Sequence, residues 1–356
     1  MKKTAKSLIA LSAAALMLSA SGCADTSWSF KTKYETLSNG AYIYYTYAAY
    51  SDAYSKITDY DTYILDQKIE NTDATEWIAN RAKEECVAHL TMSRLINEKK
   101  IKLTDSDLEA YEGYAESIYS YYFESAFEQL GVSKETYKKC SGTYSAYSEA
   151  LFKSIYDIGG TSEVSQEDLE KYFTENYTDY YYFSLPLTET DDSNNTVDIS
   201  DEDKEIITSR FKNYVELINT DGKTKDDVLE KYQSDYSTDQ APGTSSTAIL
   251  SESGLPEDLQ NAIKELEEGK ATCLEVNSSY YFVYKGKIAD KLSTIASGSE
   301  DSEVVQNRLS ILHKMKNDEY QEYLDEEAKK TKYETNDACL SKYSVKRAVD
   351  IINSLG

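Results

Sequence analysis

Within Ser162–Leu187, SEVSQEDLEKYFTENYTDYYYFSLPL, the periodicity of the chain changes, and that change limits the folds available to it. Ser165 is a good N-cap, and Asp168 comes at capping-box spacing. Val164 before the cap and Leu169 after it form a hydrophobic-staple pair. Leu169, Tyr172 and Phe173 then share one helical face. Beyond Asn176 the pattern becomes an aromatic and aliphatic run, Tyr180 to Leu187, closed by Pro186, which reads as a strand. The residues before this stretch keep helical phase, and those after it mix both periods. A domain boundary belongs here.

Upstream, Ala24 to Gly40 is polar and without period, and reads as a tether. From Ala41 the spacing of Ile43, Tyr47, Tyr50 and Tyr54 is helical. Thr75 to Lys100 carries Ile78, Ala82, Cys86, His89 and Ile96 near one face. Thr104, boxed by Asp107, opens a helix whose stripe is Leu108, Tyr111, Ala115, Ile118 and Tyr122. A further helix bears Tyr144, Tyr147, Leu151, Ile155 and Ile158 and stops at Gly159-Gly160. Tyrosine stripes at helical spacing are expected to be core. No convincing strand occurs in the first 160 residues.

Composition narrows the function. The formal net charge is −25, and since the first 22 residues hold three lysines and no acid, the remainder carries −28. Such a surface repels nucleic acid and anionic membranes, so a polynucleotide partner is excluded. There are 33 Tyr against 8 Phe and 3 Pro, a supply of apolar area with polar tips. The two histidines, His89 and His313, lie far apart on helical stretches, and His89 sits on an apolar face as a structural residue. With no H-E-x-x-H or C-x-x-C spacing, no metal site, cofactor or catalytic residue is assigned. Cys86, Cys140, Cys273 and Cys339 admit three pairings, or four free thiols.

At the N-terminus Lys2, Lys3 and Lys6 precede a 13-residue apolar run, Leu8 to Ala20, too short to span a bilayer as a mature helix. It ends Leu18-Ser19-Ala20-Ser21-Gly22-Cys23. This resembles a bacterial lipoprotein signal, with residues 1–22 removed and 23–40 forming the lipidated Cys23 and tether. That likeness implies acylation of Cys23, an extracytoplasmic location and anchorage to the bacterial cell membrane.

After the strand at Tyr181–Leu187, Ser200 with Asp203 and Thr224 with Asp227 each open a helix. Ala248-Ile249-Leu250 is a short apolar segment, and Pro256 starts a helix lined by Leu259, Ile263 and Leu266. Thr272–Val276 and Tyr280–Ile288 form a hairpin through Asn277-Ser278-Ser279. The order is β-α-α-β-α-β-β. Glu303 to Lys330 is again helical, and Ser344 to Ile352 makes a last short helix.

This order, with GLPEDLQNAIKELEEGKATCLEVNSSYYFVYKGKI, resembles the parvulin module of peptidyl-prolyl isomerases. SQEDLEKYFTENYTDY is similar to the helix leading into that module in extracytoplasmic foldases of the PrsA and SurA type. The resemblance implies an α+β fold: a discontinuous helical chaperone-like domain, residues 41–162 and 291–356, with an inserted parvulin-like module at 163–290. In that arrangement Leu309 and Leu312 return to the first half. Parvulin sites carry a His on the first strand, a His on the last, and a Cys or Asp after the helices. Here Tyr180-Tyr181-Tyr182-Phe183 and Tyr280-Tyr281-Phe282-Val283 hold no His, and Tyr236 in Ser234-Asp235-Tyr236-Ser237 takes the Cys/Asp place. Pro242-Gly243 is the nearest approach to the family's glycine-rich turn.

The reading is a membrane-anchored chaperone that binds unfolded or extended secreted polypeptides through a non-catalytic module, with Tyr182, Tyr236, Tyr281 and Phe282 as candidate peptide-binding residues. Homodimerisation is compatible with it. One alternative is an active prolyl isomerase, which must lower a barrier of ~18–20 kcal/mol using tyrosine donors. The other is a solute-binding lipoprotein, which requires strand–helix alternation through both halves.

Overall fold

The structure is a computed structural model that describes residues 25–355; Cys23 and the lipoprotein-like segment lie outside the described residues. It divides into two compact units, residues 1–163 with 316–356, and Val164–Met315. No helix among the described residues is long and apolar enough to cross a membrane.

The first unit begins with structure where a tether was expected. Strand β1 (Trp28–Lys31) pairs antiparallel with β2 (Thr36–Ser38) and, on its other side, with Glu334–Thr335. Phe30 is fully buried in this small sheet. The segment looked periodless because four residues give too few alternations, and because its second partner comes from the far end of the chain. Ser38 caps helix α1 (Asn39–Lys56) by accepting from the Ala41 amide. A short ladder, β3 (Lys68–Ile69) with β4 (Thr72–Asp73), then leads into α2 (Ala74–Lys99). These short strands amend the expectation of a strandless first half.

Thr104 and Asp107 complete the expected capping box of α3 (Asp105–Ile118). A π-helical turn, Tyr119–Phe123, separates α3 from α4 (Glu124–Leu130). The extra residue of such a turn rotates the side chains beyond it. Consequently Tyr119 faces inward while Tyr122 of the expected core stripe is exposed; before the turn Ala115 is buried and Tyr111 exposed. Next come α5 (Lys134–Lys138), a second π-helical turn at Lys139–Thr143, and α6 (Tyr144–Tyr156). At Gly142 the second turn presses on α3: a Cβ there would lie 2.9 Å from both the Glu112 Cα and the Tyr111 carbonyl oxygen.

One apolar cluster joins Phe30, Leu37, Ala49, Ile78, Ala82, Cys86 and Leu90 to Val345 and Val349. A second joins Ile43, Ala115, Tyr119, Phe127 and Tyr137 to Ala348. The last helix, Val345–Leu355, supplies both clusters from one apolar face.

The second unit opens with α7 (Gln166–Asn176), capped by Ser165, whose hydroxyl accepts from the Asp168 amide. Strand β5 (Thr178–Pro186) comes next, then a small ladder of β6 (Thr188–Thr190) with β7 (Thr196–Asp198), and helices α8 (Asp201–Asn219) and α9 (Lys225–Tyr236). Strand β8 (Thr244–Ala248), helix α10 (Glu257–Glu265), and strands β9 (Ala271–Val276) and β10 (Ser279–Lys285) complete it. The sheet is antiparallel, in the order β8-β5-β10-β9. Asn277 and Ser278 both take positive φ, 48° and 58°, in the tight turn between β9 and β10, as a two-residue turn matching strand twist requires. Helix α11 (Ser302–Lys330) belongs to this unit as far as Met315 and to the first unit from Lys316 onward.

Candidate functional site

Register decides what the tyrosine-rich strands can present. Successive residues of a strand point to opposite faces. Tyr182 pairs with Val283, and Tyr281 pairs with both Ser184 and Leu274. These residues share the face on which Leu259 and Ile263 of α10 pack with Tyr180, Val276 and Val283. Phe183 pairs with Phe282 on the opposite face, packed with Phe211 and Tyr214 of α8 and Val228 of α9.

The four candidate residues therefore do not form one site. Tyr182 and Tyr281 do come together: their ring centroids are 6.3 Å apart, both are half-buried, and Tyr182 stacks on Tyr180 at the same separation. Phe282 is 0 % exposed and stacks on Phe183 at 4.9 Å. It is core, because its neighbour Tyr281 points to the other side. Tyr236 lies at the end of α9, its ring 4.6 Å from that of Tyr232, which belongs to the Phe282 face. The Arg210 guanidinium stands over Tyr236 at 4.7 Å.

The Ser234–Ser237 stretch is rigidly held. The Tyr214 hydroxyl donates to Asp235 at 2.9 Å, and Lys231 also bonds this carboxylate. Burial pushes the Tyr214 hydroxyl pKa far up, and the Asp235 charge adds to it. Asp235 is shifted the other way: burial opposes its charge, but the bonds from Lys231 and Tyr214 outweigh that and hold it below the usual range. Ser237 ends the helix with φ 48°. The Pro242-Gly243 turn lies beyond it, where the Tyr181 hydroxyl donates to the Pro242 carbonyl. Gly243 has φ 85°, and a Cβ there would lie 2.2 Å from the Tyr182 carbonyl oxygen, so only glycine lets β8 approach β5.

Chemically, the Tyr182–Tyr281 ledge offers two ring faces and two phenolic hydroxyls, which both donate and accept. That set can pack against an extended backbone and bond its carbonyl groups. Among the described residues no cluster of His, Cys, Asp and Glu has the arrangement of a metal site, and Cys86, Cys140, Cys273 and Cys339 are free thiols.

In the first unit His89 is 2 % exposed. Its Nδ1 lies 2.6 Å from the Tyr45 hydroxyl and its Nε2 lies 3.2 Å from Glu35, which also pairs with Lys139 at 2.8 Å. Burial resists the Glu35 charge, yet the His89 and Lys139 contacts bring its pKa down to about 2. His89 is thus an internal strut. Sequence reasoning placed His89 in the core but missed Glu35, which lies in a segment read as tether.

The same unit has two clefts along α2, of about 550 and 680 Å³, which share Asn80, Arg81 and Glu84. Arg81 is held there by Asp52, Glu84 and Glu85 at 3.5, 3.7 and 2.6 Å. Burial raises the Glu85 pKa against the pull of Arg81, with Asp52 and Glu84 adding to the rise. Trp77 and Tyr144 supply aromatic wall to the two clefts.

No family model matches the chain, and no curated protein matches it. Among solved structures it is similar to PrsA foldases. The foldase protein PrsA of Lactococcus lactis overlaps 89% of this chain and 99% of its own, at 13% identity and a TM-score of 0.35. PrsA of Bacillus subtilis overlaps 74% and 88% at 14% identity and 0.28, and the peptidylprolyl isomerase PrsA of Bacillus anthracis 70% and 96% at 15% and 0.24.

Proposed function

We propose that the chain is an extracytoplasmic chaperone of the foldase type that holds unfolded secreted polypeptides, tethered to the cell membrane through Cys23. In this reading the β-α-α-β-α-β-β arrangement of the second unit is a parvulin-like module without isomerase activity, inserted into a helical domain built from both ends of the chain. The carrying observation is the pair Tyr182 and Tyr281, half-buried side by side at 6.3 Å on one sheet face. On those two strands the resembled isomerases each carry an imidazole. Phenols keep the apolar surface and hydrogen-bonding capacity that a peptide backbone needs.

A second reading, prolyl isomerisation by tyrosine donors, is favoured by the same pair. Two assays separate them. The chain is expected to suppress aggregation of a reduced secreted client at near-stoichiometric amounts while showing no prolyl rotation above background in a protease-coupled assay. Undiminished aggregation at several-fold excess overturns the chaperone reading, and a clear rotation rate lost in Tyr281→Phe establishes the enzyme.

A further inference from the structure

From Thr104 to Leu130 the sequence holds seven carboxylates, Asp105, Asp107, Glu109, Glu112, Glu116, Glu124 and Glu128, and no lysine or arginine. On this segment stand three of the most exposed aromatic side chains among the described residues: Tyr114 at 71 %, Tyr121 at 85 % and Tyr122 at 70 %. For Tyr121 and Tyr122 this exposure follows from the π-helical turn at Tyr119–Phe123, whereas Tyr114 stands on the regular helix before it. That turn commits Tyr119 to the interior, where its hydroxyl bonds the Val132 carbonyl at 3.2 Å, and turns Tyr121 and Tyr122 outward, their rings 5.4 Å apart.

The same segment lends Glu124 and Glu128 to a cleft of about 570 Å³ whose lining also includes Asp25 and Tyr119. Asp25 already accepts from the Ser133 amide and the Thr136 hydroxyl. Lys134, the one cation in the lining, pairs with Glu116. Glu109, Glu124 and Glu128 make no ion pair among the described residues.

We infer that this face of the first unit, Tyr114, Tyr121 and Tyr122 with the Glu124–Glu128 cleft, is a docking surface for cationic stretches of unfolded polypeptide, arginine-bearing ones foremost. The faces of tyrosine rings are negative and attract guanidinium groups. A neighbouring carboxylate gives the same group a charge-assisted bond. The two features need one kind of ligand. A second copy docking by this face would set carboxylates against carboxylates, since a two-fold interface pairs a patch with itself. Anionic lipid and nucleic acid are repelled by the same charges. The inference rests on the chaperone reading only for the ligand being an unfolded chain.

The test is fluorescence anisotropy of the full-length chain in mild detergent, titrated into labelled unstructured peptides identical except for four positions that are Arg, Gln or Glu. The Arg peptide is expected to bind roughly tenfold more tightly than the Gln peptide, and the preference is expected to shrink in high salt. Both Tyr114→Ser/Tyr121→Ser/Tyr122→Ser and Glu124→Gln/Glu128→Gln are expected to abolish it. Equal binding of Arg and Gln peptides, or a preference surviving in either variant, overturns the inference. So does a concentration-dependent dimer that the tyrosine variant loses, which would assign the face to a second copy. If Arg peptides bind as expected while aggregation of a folding client goes unsuppressed, the surface stands and the chaperone reading alone falls.

Discussion

The two units spend the same residue type in opposite ways. In the second unit the aromatic rings of β5 and β10 are sorted by strand parity: Tyr181, Phe183, Tyr280 and Phe282 fill one face and Tyr180, Tyr182 and Tyr281 the other. In the first unit the rings of α3 and its π-helical turn are sorted by a helical phase that slips, so Tyr119 is buried while Tyr121 and Tyr122 stand in water. A strand with both faces covered gives tyrosine few ways out. A helix on the surface leaves one whole side free, and there a ring is held for contact instead of stability.

Breaking this contrast should produce a graded series. Phe282→Ala empties a fully buried site stacked on Phe183 and should cost about 3–5 kcal/mol in urea unfolding monitored by tyrosine fluorescence. A loss under about 1 kcal/mol would mean that the sheet face is not packed as described. Acid should attack the first unit through Glu35. Its folded pKa of about 2 lies below the ordinary 4.5, so the folded state binds this proton less readily than the unfolded chain does. The stabilisation, on the order of 3 kcal/mol, is present in full above pH 4.5 and lost as pH falls through about 2. Glu35→Gln should flatten that part of the stability–pH curve, and an unchanged slope would contradict the His89–Glu35–Lys139 contact. Thr224→Ala removes the capping box of α9 and should cost about 1 kcal/mol by the same unfolding measurement. Tyr121→Ser, at the exposed end of the comparison, should change stability by less than about 0.5 kcal/mol. A larger loss would place that ring in a packed environment.

Much of this was legible in local chemistry. Ser165, Thr104, Ser200 and Thr224 each precede an acid at capping-box spacing, and each caps a helix in the structure. The Asn277-Ser278 turn marked its hairpin for the same reason: the residues that tolerate positive φ are few. Register was half-legible. Tyr281 and Phe282 are adjacent, so strand parity alone forbids both from lining one pocket. What could not be read was anything made by distant segments. Residues 28–31 take their second strand partner from residues 334–335, and the fate of Tyr122 depends on one extra residue in a helical turn that no periodicity announces. Glu35 acquires its low pKa from His89 and Lys139, neither of them near it in sequence.

The pairing of Phe30 with Thr335 bears on how such a chain folds. Val164–Met315 is one contiguous stretch, so that portion can fold without waiting for any segment outside it. The other unit is completed only when residues 334–335 and the helix Val345–Leu355, far along the chain from its first strand, have joined it. For much of its own biogenesis, a protein of this design is itself an incomplete chain with apolar surface showing.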